Sequence, residues 1–112
     1  MKELKISRET KEQIIYDIRN GELIEPNTTI EKVYFDEAND YEVLVHIEMD
    51  DEYCDRNFHF VVSDQDGNEC DLDESQACDI YRVFDIARND AYEAAVSDAK
   101  FHEYLWSCCC HM

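Results

Sequence analysis

Residues 64–68 (DQDGN) are the first group of side chains that could do chemistry, because they have the acid-rich composition of a calcium-binding loop. If Gly67 takes the glycine position of such a loop, the first ligand position falls on Val62, whose side chain has no oxygen. The closing position then falls on Asp73 and not on glutamate. The Asp66-Gly67 pair is instead typical of a tight hairpin turn.

Histidines and cysteines form the other candidate metal ligands. His46 and His59 fall on the polar side of two predicted strands, where Glu42 or Glu48 can complete a zinc site, although exposed strand histidines are more often ordinary polar residues. Residues 108–111 (CCCH) combine thiols with an imidazole, but structural zinc sites usually space their ligands by two or more residues. We therefore predict no metal and no other cofactor, with a small metal- or thiol-binding protein as an alternative.

The sequence contains no recognisable catalytic pattern. It lacks a nucleophile–base pair, a glycine-rich phosphate loop, a metalloprotease helix and a deaminase cysteine pair. We predict that the protein is not an enzyme. No apolar run approaches the roughly 20 residues that span a bilayer, and no secretory signal precedes the cysteines. We therefore expect no membrane contact, reduced thiols and a cytoplasmic location.

The elements that position these residues are predicted by periodicity and by turn signals. The 112 residues are expected to form a single α+β domain, 1–112, with one helix, a three- or four-stranded antiparallel meander and two C-terminal helices packed on one sheet face. The predicted ranges are a helix at 8–20, strands at 30–36, 41–49, 57–64 and 69–72, a helix that starts after Asp73, and a helix at 91–107 that follows a break at Asn89 or Asp90.

Alternating residues predict which side of the sheet is covered by the helices. Apolar side chains that recur at every second position define the buried face of a half-exposed antiparallel sheet. The residues expected to face inward are Val33, Phe35, Tyr41, Val43, Val45, Ile47, Met49, Phe58, Phe60 and Val62.

The charge of the chain is its most unusual property. It has 28 acidic and 10 basic residues, for a net charge of −18. Residues 36–79 alone contain 16 acids and a single base, Arg56. Self-repulsion of this size destabilises a folded domain, and solubility requires much less charge. A solvated surface is one interpretation, and a binding surface is the other.

The predicted binding surface consists of the acids on the sheet and its loops. The charge count corresponds to about 25–30 Å of duplex DNA, a length that fits the expected size of the domain. These candidate partner-binding residues are Asp36, Glu37, Asp40, Glu42, Glu48, Asp50, Asp51, Glu52, Asp55, Asp64, Asp66, Glu69 and Asp71.

The element order, the acidic meander and the turn at 66–69 (DGNE) resemble the small type II-A anti-CRISPR proteins. The resemblance covers roughly residues 8–105 and is one of pattern and composition. It implies a protein that mimics the PAM-containing duplex and occupies its binding cleft on Cas9.

The leading hypothesis is therefore a phage or mobile-element inhibitor that binds the basic cleft of a nucleic-acid-binding protein, such as a CRISPR-Cas effector. We expect no direct binding to nucleic acid, because like charges repel and no basic patch exists. The alternative from another class is an acidic adaptor or structural protein whose partner does not bind nucleic acid.

Overall fold

The computed structural model describes the backbone of residues 2–110 and the side chains of residues 2–97. It confirms an α+β fold, in which five strands form one sheet in the order β1-β5-β4-β3-β2. β1 and β5 are parallel, and all other neighbours are antiparallel. The elements are β1 Glu3–Leu4, α1 Arg8–Arg19, β2 Thr28–Asp36, β3 Tyr41–Met49, β4 Asp55–Ser63, β5 Glu69–Leu72 and α2 Glu74–Cys110.

The N-terminal strand β1 was not predicted, so the prediction of three or four antiparallel strands is corrected to five strands in a mixed sheet. Two residues are too few to show a periodicity, and the strand depends on contacts from distant parts of the chain. Asp71 N–H donates to Lys2 O, and the Gln76 amide both accepts from Ile6 N–H and donates to Ile6 O. A glutamine 70 residues away therefore holds the chain next to β1 in place.

The prediction of two C-terminal helices is wrong, because α2 runs without interruption from Glu74 to Cys110. Asn89 and Asp90 are only mildly unfavourable inside a helix, whereas glycine and proline, the residues that break helices, are absent from this range. Arg88 also fixes the helix just before the predicted break, since it pairs with Asp85 and donates to Tyr53 O.

Both helices pack on the same face of the sheet, as predicted. Ser7 caps α1 by accepting from Thr10 N–H, and Ile14 and Ile18 on this helix are fully buried. Ile80 and Phe84 of α2 join them over the strands. The inward-facing residues predicted on β3 and β4 all belong to this core or pack against it.

β2 faces the opposite way from the prediction. Val33 and Phe35 are 59% and 56% exposed, whereas Tyr34 is buried. Bulky side chains occur at both sets of alternate positions in this strand, so the apolar pattern does not decide which side faces the core. The polar contacts decide it, because Asp17 of α1 accepts from Lys32 Nζ at 2.7 Å and from the Tyr34 hydroxyl at 2.7 Å.

Candidate protein-binding face of the sheet

One face of the sheet has no helix over it within the described residues, since α1 and α2 both lie on the other side. We call this surface the open face. Its residues are fixed by strand register and by their partial or full exposure. They are Glu3, Thr29, Glu31, Val33, Phe35, Glu42, Leu44, His46, Glu48, Asn57, His59, Val61, Ser63, Glu69 and Asp71.

Cross-strand pairs divide the open face into rows of distinct chemistry. An apolar row crosses its centre, in which Val33 is opposite Leu44 and Leu44 is opposite Val61. On one side of this row, Glu31, His46 and His59 are in register. On the other side, Phe35 is opposite Glu42, and Ser63 connects that pair to Glu69. A short apolar centre is therefore flanked by charged rows.

Most of the charged residues of the open face are acidic. Among the strand residues that form it, six carry carboxylates and none is lysine or arginine, and the exposed base Arg56, at a bulge in β4, borders it next to Thr29 and Glu48. The six are Glu3, Glu31, Glu42, Glu48, Glu69 and Asp71. Four of them belong to the predicted site, and the structure places these four on one surface.

His46 and His59 lie side by side on the polar face of the sheet, as predicted. Their rings stack with centroids 4.7 Å apart. His46 Nδ1 lies 2.9 Å from Glu31 Oε1, and Nε2 lies 3.0 Å from Glu48 Oε1. The contacts with Glu48 and Glu31 outweigh partial burial and raise the pKa of His46. An imidazolium that donates from both nitrogens satisfies two carboxylates and has no lone pair to offer a metal.

No metal cluster is found in the part of the chain that the structure describes, where no group of three or more His, Cys, Asp and Glu side chains could hold an ion. Cys54, Cys70 and Cys78 are free thiols. The side chains of the CCCH segment at 108–111 lie outside the described residues.

The predicted loop acids Asp50 and Asp64 hold their own loops. Asp50 Oδ1 accepts from the backbone N–H groups of residues 52 and 54, and Asp64 Oδ1 accepts from those of residues 66 and 68. These bonds, led by the one from residue 54 to Asp50 and the one from residue 68 to Asp64, lower the pKa of both carboxyls. Each acid therefore has a structural use.

Asp36 is the one predicted site residue that is fully buried, with 0% exposure. Its Oδ2 accepts from the Ser7 N–H at 2.9 Å and from Asn39 Nδ2 at 2.9 Å. Burial alone raises the pKa of Asp36, but the hydrogen bonds from Asn39 and Ser7 outweigh it and the pKa is lowered. This carboxylate joins the end of β2 to the start of α1 and is not presented to a partner.

The remaining predicted acids differ in how far nearby bases neutralise them. Asp55 lies 3.8 Å from Arg88 Nε and accepts from the Tyr81 hydroxyl at 3.2 Å, while Arg56 lies 3.7 Å from Asp50. At the opposite end of the sheet, Gln65 Nε2 donates to Asn39 O at 2.7 Å and brings two acidic turns together. The exposed turn acids are Glu37, Asp40, Asp51, Glu52 and Asp66.

Three parts of the open face were missed by sequence reasoning, and one of them is Glu3, on the unpredicted strand β1. Glu31 was overlooked because it lies outside the acid-rich range, although its position in an alternating strand was a usable signal. Val33 and Phe35 were assigned to the core and instead form an exposed apolar patch. Large exposed apolar side chains grouped on one surface are typical of protein-binding sites.

No family model, curated protein or solved structure matches this chain. Among the described residues, no helix has both the length and the apolar character needed to cross a membrane.

Proposed function

We propose that this protein is an inhibitor that binds the basic, nucleic-acid-binding cleft of a host defence nuclease. A CRISPR-Cas effector is the target that fits the sequence resemblance. The protein acts by occupancy, one molecule per cleft, and performs no chemistry. Its carboxylates take the place of DNA phosphates against the arginine and lysine side chains of the cleft.

The observation that carries this proposal is the group of carboxylates on the open face, on both sides of its short apolar row. Its strands present six carboxylates on one accessible surface, with Arg56 as a base at its border. Nine-residue strands span roughly 30 Å, so the open face has the length of a short duplex segment. The acidic turns at 37–40 and 64–68 extend the negative surface at one end of the sheet.

The cost of this arrangement supports a binding role. Carboxylates placed close together on one side of a sheet repel each other and reduce the stability of the fold. His46 offsets this repulsion for Glu31 and Glu48 only. The open face contains no lysine or arginine that offsets it for Glu42, Glu69 or Asp71. A basic partner supplies the missing counter-charges.

The exposed Val33 and Phe35 favour a second candidate, an adaptor that binds a protein with no role in nucleic-acid processing. An apolar centre with a polar rim is the usual anatomy of a protein–protein interface. A surface that only takes the place of DNA phosphates does not need an apolar centre. The two candidates share the open face and differ in the partner.

A direct test measures DNA cleavage by a guide-loaded type II-A Cas9 as the protein is added in increasing amounts. We expect inhibition to saturate at one molecule per effector and to be relieved when a PAM-containing duplex is bound first. Glu42→Gln, Asp66→Asn, Glu69→Gln and Asp71→Asn together should weaken inhibition at least about tenfold, since desolvated charge pairs couple by about 1.5 kcal/mol or more each.

The matched control removes four exposed carboxylates elsewhere: Glu9→Gln, Glu12→Gln, Glu25→Gln and Glu93→Gln. Equal loss in both variants would mean that net charge alone matters and would overturn the open face as the site. If Cas9 is not inhibited, the anti-CRISPR assignment fails. A host-lysate pulldown that yields an open-face-dependent partner without a nucleic-acid site would then establish the adaptor.

A further inference from the structure

β4 has an edge that is unpaired over most of its length. It contains nine residues, but only Val62 and Ser63 pair with β5. Beyond Cys70, β5 pairs with β1, where Asp71 is opposite Glu3. Residues 55 and 57–61 therefore pair with β3 on one side, with a bulge at Arg56, and residues 55–61 pair with no strand on the other side within the described chain. Backbone N–H and C=O groups along such an edge can pair with an added strand.

A groove runs between this edge and the first turns of α2. Phe58 and Phe60 form its floor, and Ala77, Cys78 and Tyr81 form its wall. Its volume is about 470 Å³. Phe58 is held rigidly, since its ring packs against Phe84 with centroids 4.7 Å apart and against Tyr81 at 5.3 Å. The groove is thus a preformed apolar channel next to free backbone hydrogen-bonding groups.

An edge strand beside a helix is suited to an extended peptide. The peptide backbone pairs with the strand and gives affinity, while alternate side chains enter the groove and give specificity. The inward side chains of a strand next to β4 would project on the same side as Phe58 and Phe60, directly toward Ala77 and Tyr81. The opposite side chains would project toward the open face.

Charge indicates what kind of segment fits. Glu74 and Asp85 line the groove, and Arg82 is the one basic residue that does so among the described residues. The chain as a whole carries −18, so a second copy of this protein would be repelled. A segment with apolar residues on one side and lysine or arginine on the other fits the apolar groove and is attracted by the negative charge of the protein.

The other sheet edge is less suitable. β2 is also an edge strand, but the space next to it is lined by Val33, Tyr34, Phe35, Glu37 and Ala38 and, on the side of α1 and its cap, by polar residues. These are Ser7, Glu9, Thr10 and Gln13. An added strand there would leave its apolar side chains against hydroxyl, carboxylate and amide groups.

We propose that β4 binds an extended segment of a partner protein, with alternating apolar and basic residues, as an added strand along residues 55–61. The apolar side chains of the segment occupy the groove formed with α2. This site is separate from the open face and does not depend on the function proposed for it.

The test uses the labelled heptapeptide KVKVKVK and the whole protein. We expect binding with a dissociation constant of roughly 10–100 µM. Hydrogen exchange should slow at outward-facing amides within residues 55–61 and not along β2. The same peptide with N-methyl groups on the valines keeps its charge and its side chains but loses backbone donors. It should bind at least about tenfold more weakly, since each lost backbone bond weakens the complex.

Two matched variants on α2 separate groove binding from general charge attraction. Cys78→Arg places a long cation in the groove, and Ser75→Arg adds the same charge at an exposed position that does not line it. Cys78→Arg should weaken binding at least about fivefold more than Ser75→Arg. Equal weakening by both, insensitivity to N-methylation, or exchange protection outside residues 55–61 would each overturn the proposal.

Discussion

Carboxylate side chains have opposite roles on the two faces of the sheet. On the covered face, Asp17 and Asp36 are buried and each accepts hydrogen bonds from neutral or cationic donors. On the open face, Glu42, Glu69 and Asp71 are exposed and make no hydrogen bond or ion pair among the described side chains. Buried carboxylates require partners, whereas exposed ones obtain theirs from water.

This difference separates the acids that build the fold from those that are free to bind. A paired, buried carboxylate stabilises the structure and is unavailable to another molecule. An exposed carboxylate among others destabilises the structure slightly and is fully available. Acidic residues that count equally in a net charge of −18 therefore have opposite effects on stability, and mutations can tell them apart.

The largest expected effect follows from Asp17→Asn. The Asp17 side chain is 4% exposed and accepts from Lys32 and Tyr34, while Lys32 is 40% exposed and keeps much of its hydration. Loss of the carboxylate should lower the free energy of unfolding by about 2–3 kcal/mol, below the range for fully buried pairs. Denaturant unfolding at neutral pH measures this change in the free energy of unfolding. Glu12→Gln, at an exposed position on the same helix, is the control.

The pH dependence of this effect has a definite sign. Burial alone raises the pKa of Asp17, but hydrogen bonds from Lys32, Tyr34 and Gln13 outweigh it, so the pKa is lowered in the folded state. The stabilisation by Asp17 is therefore present above the unfolded pKa of about 3.9 and is lost as the pH falls through the folded value. If wild type and Asp17→Asn differ equally at neutral and strongly acidic pH, the pairing is not electrostatic.

A smaller effect of opposite sign is expected on the open face. Glu42→Gln, Glu69→Gln and Asp71→Asn together should raise the melting temperature by about 2–4 °C at low salt, because they relieve repulsion. Most of this gain should disappear near 0.5 M salt, where the screening length is only about 4 Å. Thermal unfolding at both salt concentrations measures it. A loss of stability would show that these acids have structural partners.

Much of the fold could be predicted because the strongest local signals agree with the tertiary structure. The strand at 41–49 and the short strand at 69–72 lie at their predicted bounds. Their alternation is clean, and Gly67, with a φ of 83°, occupies the turn position where glycine is favoured. Ser7 caps α1 as its hydroxyl and position predict.

Two of the errors arose where distant residues decide the structure. The orientation of β2 depends on Asp17, a buried polar residue on another element, and so Val33 and Phe35 were placed on the wrong face. β1 depends on Gln76 in the same way. Single contacts of this kind produce no periodic pattern of residue types in the sequence. Because the orientation of β2 was predicted wrongly, the exposed patch of Val33 and Phe35 was not predicted as part of the candidate site.

The smallest expected effect concerns His46, which lies between two carboxylates on the open face. Contacts with Glu48 and Glu31 raise its pKa, so its ion pairs stabilise the fold fully below the unfolded value of about 6.5 and less as the pH rises through the folded value. Glu48→Gln should therefore lower the pKa of His46, measured by NMR titration of the ring protons, and should destabilise the protein more at about pH 6 than at about pH 8. Glu42→Gln on the same strand is the control. Glu42→Gln removes an equal charge from the open face and does not contact the His46 ring. A similar change in the pKa of His46 in both variants would mean that the summed charge of the whole surface, and not the contact with Glu48, sets the protonation of His46.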